Sequence, residues 1–213
     1  MPSPSLTRLD AAGETRGLVL VLHGGKQRSD EVVDGKSLSW RRCQALQRAI
    51  APRLHEAGVG SWLLRYRHRG WNGGSGAIED ARWALAEVRR VHGEVPVVLL
   101  GHSMGARTAI HVADDPQVVG VVGLAPWFPP NEPVRALAGR HLVAGHGHRD
   151  KITSYRATAA YVERARSVAD SAELHDMGPV GHYLLRRVRA WNELASSSAL
   201  SMLSSSRPGA ARE

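Results

Sequence analysis

Two hydrophobic rhythms alternate along the chain. Short, nearly unbroken apolar runs occupy Leu18 to Leu22, Ser61 to Leu64, Val95 to Leu100, Val118 to Leu124 and His141 to Ala144, with a weaker one from Glu173 to Met177. Runs of this length, rich in Val and Leu, predict strands buried on both faces of a parallel sheet. Between them the apolar spacing changes to three and four. Cys43, Leu46, Ile50 and Leu54 form one such stripe, and Ile78, Ala81, Leu85 and Val88 another. These predict amphipathic helices, as do residues 155–168 and 182–195. Pro52 interrupts the first stripe and is expected to kink or shorten that helix. Alternating strands and helices imply β-α-β units: an α/β fold with a mostly parallel sheet and helices on both faces.

The ends of the chain read differently. Residues 1–16 form an N-terminal arm with a short edge strand near Leu6 to Ala11, residues 17–195 one α/β domain, and residues 196–213 a Ser/Ala-rich segment. That last segment is expected to be a fraying helix end followed by a disordered tail. Residues 126–140 are too few for a separate lid domain. No internal repeat is visible.

Composition narrows the function classes. The 213 residues are enough for one domain with a substantial core. Hydrophobic residues make up 43% and charged residues 23%, both ordinary for a soluble protein. No run approaches the roughly 18 apolar residues of a membrane span, and the first residues lack the pattern of a secretory signal. The single cysteine, Cys43, excludes an internal disulfide and fits a cytoplasmic setting. The net charge is +8, but the arginines are spread along helical segments and form no compact basic block, so nucleic acid is not an expected partner.

Chemistry collects where a parallel sheet delivers it, at the carboxyl ends of the strands. His23-Gly24-Gly25-Lys26 follows the first strong run. Gly101-His102-Ser103-Met104-Gly105 follows the third, GHGHRD ending in Asp150 follows the fifth, and GPVGHY containing His182 follows the last. A serine, an acid and a histidine thus emerge on one rim. Glu132, after the fourth run, is a rival for the acid, and Asp176 is expected to pair or cap. The pattern G-x-S-x-G is weak alone, and gains weight from lying between a predicted strand and a predicted helix.

These features resemble the α/β-hydrolases over residues 17–195. GHSMG is similar to that family's nucleophile elbow, HGG to its oxyanion loop, GHGHRD to its acid loop and G-x-x-H to its histidine loop. RYRHRGW after the second strong run is similar to the family's loop there. The resemblance implies a small α/β-hydrolase fold without a lid, and a triad of Ser103 as nucleophile, His182 as base and Asp150 as acid. It implies an oxyanion hole from the N–H groups of Met104 and Gly25, or Lys26 if the loop is shifted by one. A branch similar to dienelactone hydrolases places cysteine at the elbow; this chain has serine.

The implied activity is cleavage of an ester or related acyl bond, as a carboxylesterase or thioesterase, through an acyl-serine intermediate and with no cofactor. Acyl transfer on the same triad, or a catalytically silent binding protein, are the alternatives. The expected partner is a small acyl substrate, with anionic substrates drawn by the basic surface. His102, Trp127, Phe128 and Trp71 are the expected substrate-binding residues. His23 is expected to brace the oxyanion loop. His146 and His148 lack further ligands at zinc spacing, so no metal is expected. The run GWNGGSGA lacks a phosphate-loop pattern and reads as a flexible loop. Cys43 is expected in the core.

Overall fold

The computed structural model describes residues 2–206. Seven strands form one sheet: β1 (Ser5–Leu9), β2 (Gly17–Leu22), β3 (Val59–Arg65), β4 (Val97–His102), β5 (Val118–Leu124), β6 (His141–His146) and β7 (Ser171–Asp176). Their order across the sheet is β1-β3-β2-β4-β5-β6-β7. β1 is an antiparallel edge strand on β3, and every other pairing is parallel.

Alternation along β2 divides the core. Leu18, Leu20 and Leu22 point to one face and Val19 and Val21 to the other. The first face is covered by α2 (Ser75–His92), α3 (Met104–Val112) and α4 (Tyr155–Ala165), and the second by α1 (Leu38–Glu56) and α5 (Val188–Ser205). Between β5 and β6 the chain makes only the short 3-10 turn Arg135–Leu137, and no lid domain is inserted there.

Three expectations about helices need correction. α1 runs unbroken through Pro52. Its buried face (Cys43, Leu46, Gln47, Ile50, Ala51 and Leu54) packs on the sheet, while Pro52 and Arg48 face outward, where water can take the carbonyl that proline leaves unbonded. The last helix begins at Val188, six residues later than the spacing predicts. Leu184 and Arg187 sit at φ 55° and 54°, which no helix admits. That helix then continues to Ser205, through residues expected to fray and give way to a disordered tail. Ala195, Ala199, Met202 and Leu203 recur at helical spacing and bury against the sheet, which a serine-rich composition conceals. The remainder of the expected tail, residues 207–213, lies outside the described residues. Among the described residues, no helix is long and apolar enough to cross a membrane.

Leu203 lies across Gly17 of β2 and is 5% exposed. Leu203→Ala is therefore expected to cost about 2–4 kcal/mol in urea unfolding, whereas Ser204→Ala, on the exposed side, stays within about 0.5 kcal/mol. Equal effects would mean that the helix end does not pack.

Candidate active site

The site is built on the reversal between β4 and α3. Ser103 occupies it at φ 54°, ψ −116°, a conformation costly for a residue with a side chain. Four backbone bonds hold it. Its N–H donates to Leu124 O at 3.1 Å, and its carbonyl accepts from Ala106 N at 3.1 Å, Trp127 N at 3.2 Å and Arg107 N at 3.3 Å. The helix must leave the sheet at very close range. A Cβ on Gly101 would come 2.3 Å from Ala106 N, and one on Gly105 would come 2.0 Å from Leu22 O. Only glycine fits either place. Ser103 is buried yet borders a cavity of about 590 Å³.

His182 arrives from the loop after β7. Its Nε2 lies 2.9 Å from Ser103 Oγ, and its Nδ1 lies 2.8 Å from Asp150 Oδ2. An ionised carboxylate only accepts, so Nδ1 carries the proton and Nε2 is free to accept from the serine hydroxyl. The loop is anchored twice. His102 Nε2 donates to the carbonyl of His182 at 3.0 Å, and Arg42 on α1 donates to the carbonyls of Tyr183 (3.0 Å) and Leu184. Burial, and then neighbouring His182, lower the His102 pKa to about 3. His102 thus stays neutral, with the single N–H its anchoring bond requires.

Asp150 comes from the loop after β6 and is the most densely bonded group of the site. Oδ2 accepts from His182, from Thr153 Oγ1 at 2.8 Å and from His146 Nε2 at 3.1 Å. Oδ1 accepts from the backbone N–H groups of Ile152 (2.8 Å) and Thr153 (2.9 Å). Burial alone would raise its pKa, but the bonds from His146, His182 and the two N–H groups outweigh burial and hold it well below the usual carboxylate range. His146 is itself fixed by Thr158 Oγ1, 2.8 Å from its Nδ1.

The backbone bears on the expected oxyanion donors. Met104 is the first residue of α3, so its N–H has no carbonyl one turn back in the helix. Lys26 N–H is donated to Arg69 O at 2.7 Å, which removes it as a candidate and leaves Gly25. His23 braces this loop: its Nδ1 lies 2.6 Å from Gly24 O, and its Nε2 receives the N–H of Tyr66 at 3.4 Å.

Other expected residues are placed elsewhere. Glu132 does not reach His182. It is buried against Arg107 (2.8 Å) and His111 (2.5 Å). Burial pushes its pKa up, but the bonds from His111 and Arg107 override that and hold it low. Arg107 also draws in the aromatic residues, with its guanidinium carbon 4.4 Å from the Trp71 ring and 4.5 Å from the Trp127 ring. Phe128 packs on Tyr161. None of Trp71, Trp127 and Phe128 lines the cavity beside Ser103, and Trp127 reaches the elbow only through its backbone. Of the four residues expected to bind substrate, only His102 lines the cavity. The rest of the lining includes Leu38, Arg41, Arg42, Tyr183 and Leu185.

Asp176 caps Gly178 N–H at 2.7 Å and pairs with His148 at 3.1 Å. Among the described residues no group of three or more His, Cys, Asp or Glu is arranged to hold a metal. Cys43 is buried in the core, and burial pushes its thiol up to about 12. Thr153, His146 and Arg42 are supports that sequence reasoning did not find. His146 carried a signal only as a residue weighed for a metal.

The low pKa of Asp150 has a defined consequence for stability. In the unfolded chain this carboxylate takes up its proton near pH 4. Its contribution is therefore complete above about pH 5 and is lost as the pH falls through the unfolded value toward the lower folded one. The gap in unfolding free energy between the wild type and Asp150→Asn is expected to narrow steadily from about pH 5 to about pH 2. A gap independent of pH would show that the carboxylate is not held ionised.

Comparison with known proteins agrees with this architecture. The family model described as serine aminopeptidase, S33 matches residues 57–145. No curated protein matches the chain. An alpha-beta serine hydrolase homologue from Coxiella burnetii is similar in structure at TM-score 0.71 and 19% identity, covering 92% of this chain and 91% of that one. XC6422 from Xanthomonas campestris, an α/β serine hydrolase without a lid, is similar at TM-score 0.64 and 17% identity, covering 97% and 96%. The thermophilic esterase Est2 of Thermogutta terrifontis, with propionate bound, is similar at TM-score 0.70 and 15% identity, covering 95% and 90%. The chain is an α/β-hydrolase by fold, and its described residues include no separate lid domain.

Proposed function

We propose that the protein is a serine hydrolase that cleaves a carboxylic ester or a related acyl bond through an acyl-serine intermediate. The observation that carries this reading is the continuous relay from Ser103 Oγ through the two ring nitrogens of His182 to Asp150. A serine hydroxyl is a poor nucleophile until a base accepts its proton. In the first half-reaction His182 Nε2 takes that proton as Oγ attacks the substrate carbonyl. Asp150 stabilises the resulting imidazolium and fixes the ring's tautomer. The carbonyl oxygen becomes an anion between the N–H groups of Met104 and Gly25. Each donor of this kind is worth about 3 kcal/mol in the transition state. His182 then protonates the leaving alcohol or thiol. In the second half-reaction the same nitrogen takes a proton from water as its oxygen attacks the acyl-serine, and returns that proton to Ser103 Oγ as the acyl–oxygen bond breaks and the carboxylic acid leaves. Bonds and protons balance over the cycle, and Ser103 and His182 return to their starting states.

The folds of the Thermogutta esterase and of the lidless Xanthomonas hydrolase lend support by analogy only, since one fold hosts many chemistries. The bond cleaved rests on the site itself: an activated hydroxyl, two oxyanion donors and an open cavity.

A fluorophosphonate probe should label the wild type, and labelling should vanish in Ser103→Ala. On a simple aryl ester, Asp150→Asn is expected to lower kcat by roughly 10⁴-fold, the scale found when a triad acid is made neutral. Glu132→Gln should leave kcat within a few-fold, because Glu132 lies outside the relay. Unlabelled but folded wild type, or loss of activity in Glu132→Gln alone, would overturn the assignment.

A further inference from the structure

The cavity beside Ser103 has a chemical bias that the relay does not require. Its lining includes two arginines and two histidines but no aspartate or glutamate. Arg42 spends two of its donors on the carbonyls of Tyr183 and Leu184, which leaves its charge unneutralised. Arg41, one residue earlier on α1, is exposed, and its side chain takes part in no hydrogen bond or ion pair among the described residues. Arg186, Arg187 and Arg189, just beyond the loop that forms the cavity's other wall, are likewise in no ion pair among the described residues. On the β3–α2 side of the same rim, by contrast, arginines are neutralised. Arg67 pairs with Glu79 and Asp80, and Arg69 with Glu31 and Asp34. The mouth is also apolar: Leu38, Tyr183 and Leu185 are 79%, 59% and 70% exposed. Three large apolar side chains so exposed around one opening mark a surface that something covers.

Resting on the reading of Ser103 as nucleophile, we infer that the substrate is an amphipathic ester: an apolar body seated on Leu38, Tyr183 and Leu185, with a carboxylate received by Arg41 and Arg42. A guanidinium presents a planar fork that matches a carboxylate, and in a half-enclosed cavity such a pair is screened less than on open surface. The charge selects which ester enters, and the relay acts on whichever carbonyl lies over Ser103. Arg41 is the specificity-determining residue. Arg42 serves both the carboxylate and the position of the His182 loop.

The test compares matched esters. Aryl butyrate is neutral, aryl hemiglutarate carries the carboxylate on the acyl side, and 4-butyryloxybenzoate carries it on the leaving side. kcat/KM is measured for the wild type, Arg41→Gln and Arg41→Glu at low and high salt. At least one anionic ester is expected to be favoured by the wild type and to lose at least fivefold in kcat/KM in Arg41→Glu. Arg41→Gln should fall between, and the neutral ester should change less than twofold. High salt should compress the preference. Equal effects on neutral and anionic esters, or none on any, overturn the inference. Calorimetric binding of the same esters to Ser103→Ala supplies a readout independent of turnover. A preference there for the anionic ester, abolished by adding Arg41→Glu, sustains the inference even if the wild type hydrolyses neither ester, an outcome that would refute the hydrolase reading alone. No binding preference refutes the inference itself.

Discussion

Everything in this site hangs on the near-contact of α3 with the sheet. Ser103 has to turn the chain from strand to helix in a conformation that is costly by itself. The turn survives because Gly101 and Gly105 let two backbone segments approach at distances no side chain allows, and because Leu124 at the end of β5 and Trp127 in the loop after it bond the serine backbone. That packing does three things together. It places Ser103 at the end of β4, it leaves the N–H of Met104, the first residue of α3, without a carbonyl one turn back, and it sets the positive end of α3 beside the serine. A looser approach would lose all three.

The second constraint is the cost of burying a charge. Asp150 is almost wholly buried, and an unpaired carboxylate there would be protonated. Five donors keep it ionised: two histidines, one threonine hydroxyl and two backbone N–H groups. With Asp150 ionised, His182 must place its proton on Nδ1, and Nε2 is left to receive the serine hydroxyl. The tautomer of the base is thus decided by its bond to a carboxylate that four other donors keep ionised. Glu132 shows the same physics used differently. It too is buried and held ionised, but its partners, Arg107 and His111, lie on the other side of the elbow, where the pair gathers Trp71 and Trp127 into the packing.

How much of this the sequence discloses follows from which forces are local. Strands buried on both faces must be continuously apolar, so the parallel strands can be read directly, and with them the rim on which Ser103, Asp150 and His182 emerge. Segments governed by tertiary contacts are less legible. Residues 182–187 carry a helix-like apolar spacing, yet Arg42 and His102 hold them as a loop around His182. Residues 196–205 look by composition like a fraying helix end running into a tail, yet Ala199, Met202 and Leu203 bury on the sheet. Thr153, His146 and Arg42 act by supporting a neighbour, and no spacing announces such a role. Phe128 and the two tryptophans do follow a strand end, as a substrate-binding group would, but Arg107 and Tyr161 draw them into packing, and the cavity opens instead between α1 and the His182 loop.

The central claim is that Ser103 is made nucleophilic by His182 and Asp150 and carries the acyl group during turnover. It is tested most directly by mixing the enzyme rapidly with an aryl ester, quenching in acid during the first turnover and locating the acyl group by peptide mass spectrometry. The account predicts an early release of the aryl alcohol, at most one equivalent per enzyme, matched by acylation of the peptide containing Ser103. An acyl group on another residue, or steady turnover with Ser103 never acylated, would contradict it.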